Sequence, residues 1–86
     1  MKKRELSCIY DGRKSFYGKA IIKTLENKEI LYSYGYPILE NTNGKITINT
    51  NIYKWDSQTT LRHIKEYLQQ IGFPKMTKKE LIEKFC

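Results

Sequence analysis

The stretch from Trp55 to Gly72, WDSQTTLRHIKEYLQQIG, decides the fold. Leu61, Ile64, Leu68 and Ile71 recur at spacings of three and four, which predicts one apolar stripe on a helix over residues 57–72. Ser57 stands where its hydroxyl can cap the first turn. Gly72 can take the left-handed conformation that ends a helix, and Pro74 prevents its resumption. Residues 1–53 read as strand and turn, so the helix stripe needs a sheet to cover.

Working back from the helix, four strands are expected. Leu6 to Tyr10 forms a short first strand, and Asp11-Gly12-Arg13-Lys14 turns the chain. Phe16 to Leu25 is the second strand, and Asn27-Lys28 makes a two-residue hairpin. Glu29 to Leu39 is the third, bent near Gly35-Tyr36-Pro37 because proline lacks a ladder donor. Asn43-Gly44 is the strongest turn signal, and Ile46, Ile48 and Ile52 alternate beyond it as a fourth strand.

These two hairpins agree on one core face. The first pairs Leu25 with Ile30 and Ile21 with Tyr34, leaving Phe16, Ala20, Ile22, Leu31, Ser33 and Leu39 on the other side. The second pairs Leu39 with Ile48 and adds the isoleucines to that side. The fold class is therefore α+β: a four-stranded antiparallel meander, the main helix on one face, and a short C-terminal helix. That second helix is expected over residues 77–86 from the Thr77/Glu80 capping box, with Met76 and Leu81 as its hydrophobic staple. One domain over residues 1–86 accommodates all of it.

Composition narrows the function classes. Sixteen Lys and Arg against nine Asp and Glu give a net charge of +7, which favours polyanionic partners, nucleic acid among them. No window approaches the roughly 20 apolar residues of a membrane span. Glu5 and Ser7 interrupt any signal-peptide core after the basic start, so a cytoplasmic protein without membrane partners is expected. Cys8 and Cys86 read as reduced thiols. His63 is the one histidine, and no Cys-x-x-Cys or His-x-x-x-His spacing starts a metal site, so neither metal nor cofactor is expected.

Three groups of residues are candidates for function. The hairpin registers place Tyr17, Lys19, Lys23, Tyr32, Tyr34 and Tyr36 together on the sheet face away from the helix. Such a face suits stacked unpaired bases with lysines along the phosphates. It equally suits a protein interface, or tyrosines that only pair across strands. Arg13 and Lys14 occupy a tight turn and can grip phosphates or acidic groups. Thr59, Thr60, Arg62 and His63 form the third group. Thr60 and His63 share a helix face, and Asp56 or Glu66 would have to orient the imidazole for nucleophilic chemistry. No nucleophile elbow or oxyanion loop accompanies them, so no catalytic residue is assigned and no enzyme is expected.

The stretches Lys14-Ser15-Phe16-Tyr17-Gly18-Lys19-Ala20, Leu31-Tyr32-Ser33-Tyr34 and Thr59-Thr60-Leu61-Arg62-His63 carry a resemblance. In that order they resemble a group of short proteins from phages and mobile elements of gram-positive bacteria that share a domain of unknown function. That family usually has threonine two places after its Ser-Tyr pair, where this chain has Tyr36. The resemblance implies a phage or mobile-element accessory protein in a host bacterial cell. It implies action by stoichiometric binding, most of all as an inhibitor of a host defence nuclease of the CRISPR or restriction type. The expected partner is then a host nuclease or nucleoprotein complex. Direct nucleic-acid binding is the alternative.

Overall fold

The computed structural model describes residues 2–86, and its sheet has five strands instead of the four expected. They are β1 (Lys2–Glu5), β2 (Ala20–Thr24), β3 (Lys28–Ser33), β4 (Tyr36–Thr42) and β5 (Lys45–Ile48). All neighbours are antiparallel in the order β1-β2-β3-β4-β5, a meander. The helices are α1 (Gln58–Gln70) and α2 (Lys78–Phe85).

The extra strand has a local cause. Tyr34 and Gly35 both lie at positive φ (52° and 83°), so the expected third strand folds back on itself as a tight hairpin. Pro37 opposes Tyr32, while Leu39 opposes Leu31, so Ile38 is an extra residue in β4. This bulge turns both Ile38 and Leu39 into the core. The first strand also differs from expectation, because Lys2–Glu5 pairs with β2 while residues 6–19 form loop and turn. Leu6 still donates its N–H to the Ala20 carbonyl at 2.9 Å, which closes the ladder at that end.

The β2–β3 loop is Glu26-Asn27, with Leu25 N–H on the Lys28 carbonyl at 2.8 Å, not Asn27-Lys28. Moving the loop by one residue slips the register by two, so Ile21 faces Tyr32. An even slip leaves every side chain on its expected face. Ala20, Ile22, Leu31, Leu39, Ile46 and Ile48 are all buried on the helix side, and Leu39 opposes Ile48 as expected.

Both helix ends of α1 follow the sequence signals. Ser57 Oγ accepts the Thr60 N–H at 3.2 Å. At the other end Gly72 donates to the Gln69 carbonyl and Phe73 to the Leu68 carbonyl, a Schellman closure with Gly72 at φ 108°. The buried stripe is rotated from the expected one, however. Thr60, His63, Ile64, Glu66, Tyr67 and Leu68 are buried, Leu61 is half-buried and Ile71 is exposed. Polar residues take core positions because distant segments satisfy them. Tyr67 Oη donates to Glu29 Oε1 at 2.6 Å and accepts from Asn41 Nδ2 at 3.0 Å. Glu66 Oε1 accepts the Tyr10 and Asp11 N–H groups at 2.9 and 2.7 Å, tying the first loop to the helix. In α2 the Thr77/Glu80 capping box is present, and Met76 and Leu81 are buried beside it. Among the described residues no helix is long and apolar enough to cross a membrane.

Candidate functional site: a tyrosine-rimmed cleft at one end of the sheet

Antiparallel connectivity gathers three connections at one end of the sheet. The loop from Leu6 to Lys19 leaves β1 and enters β2 there, the Tyr34-Gly35 turn joins β3 to β4 there, and residues 49–57 leave β5 there. Lys19 links the first two, since its carbonyl accepts the Tyr34 N–H at 2.8 Å. The Tyr17-Gly18 turn repeats the geometry of Tyr34-Gly35, with φ of 51° and 76° and the Lys19 N–H closing on the Phe16 carbonyl at 3.0 Å.

This end displays Tyr17 (74%), Tyr34 (50%), Tyr36 (60%) and Tyr53 (86%), while the exposed Tyr10 of the first loop lines a separate groove with Arg62. Arg13, Lys14, Lys19 and Lys54 stand in the same loops. The acidic groups of these loops are largely committed elsewhere. Asp11 pairs with Arg62 at 3.3 Å, and Asp56 with Lys78 at 2.8 Å, a bond that holds the Asp56 carboxyl below its usual range. A cleft of about 340 Å³ opens between the β3–β4 hairpin and residues 52–57, walled by Tyr34, Tyr36, Tyr53 and Trp55 with Ser33 and Thr60 at its polar side.

Beneath Tyr34 lies a buried polar pin. Ser33 Oγ is 2.8 Å from His63 Nδ1 and 3.2 Å from Thr60 Oγ1. The imidazole is sealed by Phe16, edge-on at 4.5 Å, and by Tyr34 at 5.7 Å. Burial, reinforced by the charge of Arg13, pushes the His63 pKa down to about 4, so the ring is neutral at pH 7. Its Nε2 is buried with no hydrogen-bond partner among the described residues. The three stretches that carry the family resemblance therefore converge here, contributing Phe16, Ser33 with Tyr34, and Thr60 with His63.

The expected site residues do not share one face. Lys23 and Tyr32 lie on the uncovered sheet face, where Lys23 Nζ sits 4.5 Å from the Tyr32 ring centroid. The other members of the expected face, Tyr17, Lys19, Tyr34 and Tyr36, belong to the end of the sheet instead, because left-handed turns lift Tyr17 and Tyr34 out of the strands. Arg13 and Lys14 join them. Thr60 and His63 do not bond each other directly; Ser33 bridges them. Thr59 lines the cleft, whereas Arg62 faces a separate groove and pairs with Asp11. Asp56 and Glu66, the acids that would have to orient His63, are bonded to Lys78 and to the 10–11 backbone instead. Tyr53, Lys54 and Ser33 were not singled out by sequence as site residues. The aromatic-basic pair Tyr53-Lys54 directly before Trp55 is the sequence signal for the first two, and the Leu31-Tyr32-Ser33-Tyr34 stretch is the one for Ser33.

Neither a curated protein nor a solved structure matches this chain. A family model does match, over residues 4–84, and on that extent the chain belongs to DUF8033, a family of unknown function.

Proposed function

We propose that the protein is a non-enzymatic accessory protein of a phage or mobile element, acting in the host cytoplasm by stoichiometric binding. Its target is a host defence nuclease of the CRISPR or restriction type, met at exposed, unpaired nucleic acid of the nucleoprotein complex. The observation that carries the binding surface is the gathering of Tyr17, Tyr34, Tyr36 and Tyr53 with four basic side chains at one end of the sheet. Aromatic rings interleaved with cations provide stacking platforms and phosphate contacts in one place. Action without catalysis is supported by the state of His63. A general base must reach a substrate proton, and this imidazole is sealed from solvent with its Nδ1 committed to a buried serine.

The sheet face expected from sequence is a weaker candidate, because it carries Tyr32 alone of the tyrosines and Lys23 already covers that ring. A second reading, direct binding of free single strands, uses the same surface and is favoured by the same lysines. The experiment that separates them begins with purified CRISPR effector and restriction nucleases mixed with the full chain. Inhibition of cleavage saturating at a one-to-one ratio, and lost in a Tyr36→Ala/Lys54→Glu variant that stays folded, supports the inhibitor. Inhibition that free single-stranded DNA or RNA titrates away equally for every nuclease supports the direct-binding reading. No inhibition and no binding refutes both.

A further inference from the structure

The cleft beside Trp55 has a more specific use than general adhesion. We propose that it holds one unpaired nucleobase of a single-stranded nucleic acid, flanked by the rings of Tyr36 and Tyr53, with its phosphates led away past Lys54 and Lys19. This rests on the reading that the tyrosine-and-lysine end meets nucleic acid.

Size is the first argument. At about 340 Å³ the cleft falls at the small end of ligand sites, suited to a nucleoside and not to a folded protein element. Wall chemistry is the second. Tyr36 and Tyr53 are mostly exposed and line the cleft; Lys54 Nζ stands 5.5 Å from the Tyr53 ring centroid, so a planar guest would use the Tyr36 ring and the Tyr53 face that Lys54 leaves free. Hydroxyls of Ser57 and Thr59 stand among the apolar walls, as groups that can meet the polar edge of a base.

Backbone conformation is the third argument and the one specific to this site. Four non-glycine residues lie at positive φ among the described residues: Tyr17, Tyr34, Asn43 and Lys54. Asn43 is an ordinary Asn-Gly hairpin residue. The other three, residue types that disfavour this region, are all at this end, two of them on the cleft wall. Unfavourable backbone of this kind clusters where a side chain must be aimed. Charge chooses the occupant. Lys54 at the cleft and Lys19 beside it favour a phosphate-bearing guest over an acidic peptide, which would bring carboxylates but no flat rings to stack.

Trp55 is the single tryptophan of the chain, is half-buried and lines the cleft, so its fluorescence reports occupancy directly. The full chain should be titrated at low salt with an oligothymidylate, with an abasic oligomer of equal length and charge, and with a polyglutamate peptide. The expected result is saturable quenching of Trp55 by the oligothymidylate and little by the other two. Tyr36→Ala and Tyr53→Ala, both at exposed positions, should each weaken binding by roughly 5- to 140-fold, the span for loss of one stacked base. Equal binding of the abasic oligomer, with Trp55 unchanged and both variants neutral, overturns the base cleft while leaving the charged surface as a nucleic-acid contact. Quenching by polyglutamate as strong as by the oligomer overturns it in favour of a protein guest. Failure of every oligomer to bind at low salt overturns the cleft and the nucleic-acid reading together.

Discussion

Acidification tests the buried pin most directly. His63 is neutral in the folded protein because charging it would place an imidazolium under Phe16 and Tyr34, beside the positive charge of Arg13. Asp11 pulls the other way and is outweighed. In the unfolded chain the ring titrates at its ordinary 6.5, and in the fold at about 4. Between those values the unfolded state binds the extra proton, so stability is full above pH 6.5 and falls as pH drops. At about 1.4 kcal/mol per pH unit the whole interval corresponds to roughly 3 kcal/mol, of which about 2 kcal/mol is gone by pH 5. The Asp56 and Glu80 carboxyls lose their partners' help only at lower pH, since both titrate below the usual carboxylate range. The window from pH 7.5 to 5 is therefore the histidine's own. Urea denaturation followed by circular dichroism across that window should show the midpoint falling at constant slope in the wild type. His63→Gln keeps an amide beside Ser33 and should be less stable at pH 7.5 but flat to pH 5. A flat wild-type profile, or an unchanged fall in His63→Gln, would refute the account of a neutral, sealed imidazole.

Three further outcomes follow from the packing. Leu68→Ala removes a fully buried side chain from the helix–sheet contact and should cost about 2–5 kcal/mol, read as a large drop in the thermal midpoint. Tyr67→Phe leaves Glu29 and Asn41 without their shared hydroxyl and should cost about 1–3 kcal/mol in urea unfolding, with little change in helix content. Tyr17→Asn keeps the turn, relieves a tyrosine held at φ 51°, and loses little burial. It should leave stability unchanged or raise it by up to about 1 kcal/mol while weakening binding to single strands, and a marked loss of stability would show that the ring serves the fold.

Sequence was most legible where one residue type has one backbone use. Asn43-Gly44, Ser57, Gly72 and the Thr77/Glu80 box each name a local geometry, and each takes it. The core face survived a mistaken hairpin loop because a two-residue slip preserves alternation. Tyr34-Gly35 was illegible as a hairpin for the opposite reason, since tyrosine is a strand former and seldom stands at positive φ. The rotated helix stripe was illegible because Thr60, His63 and Glu66 are polar, and what makes them buriable lies far away in sequence. Ser33 meets Thr60 Oγ1 and His63 Nδ1, and the 10–11 backbone meets Glu66. Of the candidate site, Tyr17, Lys19, Tyr34 and Tyr36 are legible as an aromatic and basic group, but strand alternation assigns them to a sheet face. The left-handed turns at Tyr17 and Tyr34 instead carry the group to the end of the sheet.

The pin and the rim make more sense together than apart. A hydrogen-bonded Ser33–Thr60–His63 group contributes less to a core than well-packed aliphatic side chains would, and it leaves Nε2 without a partner. What it supplies is direction. It ties the last residue of β3 to the first turns of α1, immediately behind a tyrosine in an unfavourable conformation, and His63 lies along one side of that ring. Tyr34 is thereby held where it lines the cleft. A binding ring fixed in advance loses less conformational freedom when it meets its partner, and that lowers the cost of association. If this is the use of the pin, His63→Gln should weaken oligonucleotide binding at pH 7.5 although His63 touches no ligand. The loss should come mainly through faster dissociation. A variant folded at that pH with unchanged dissociation would leave the pin a matter of core packing alone.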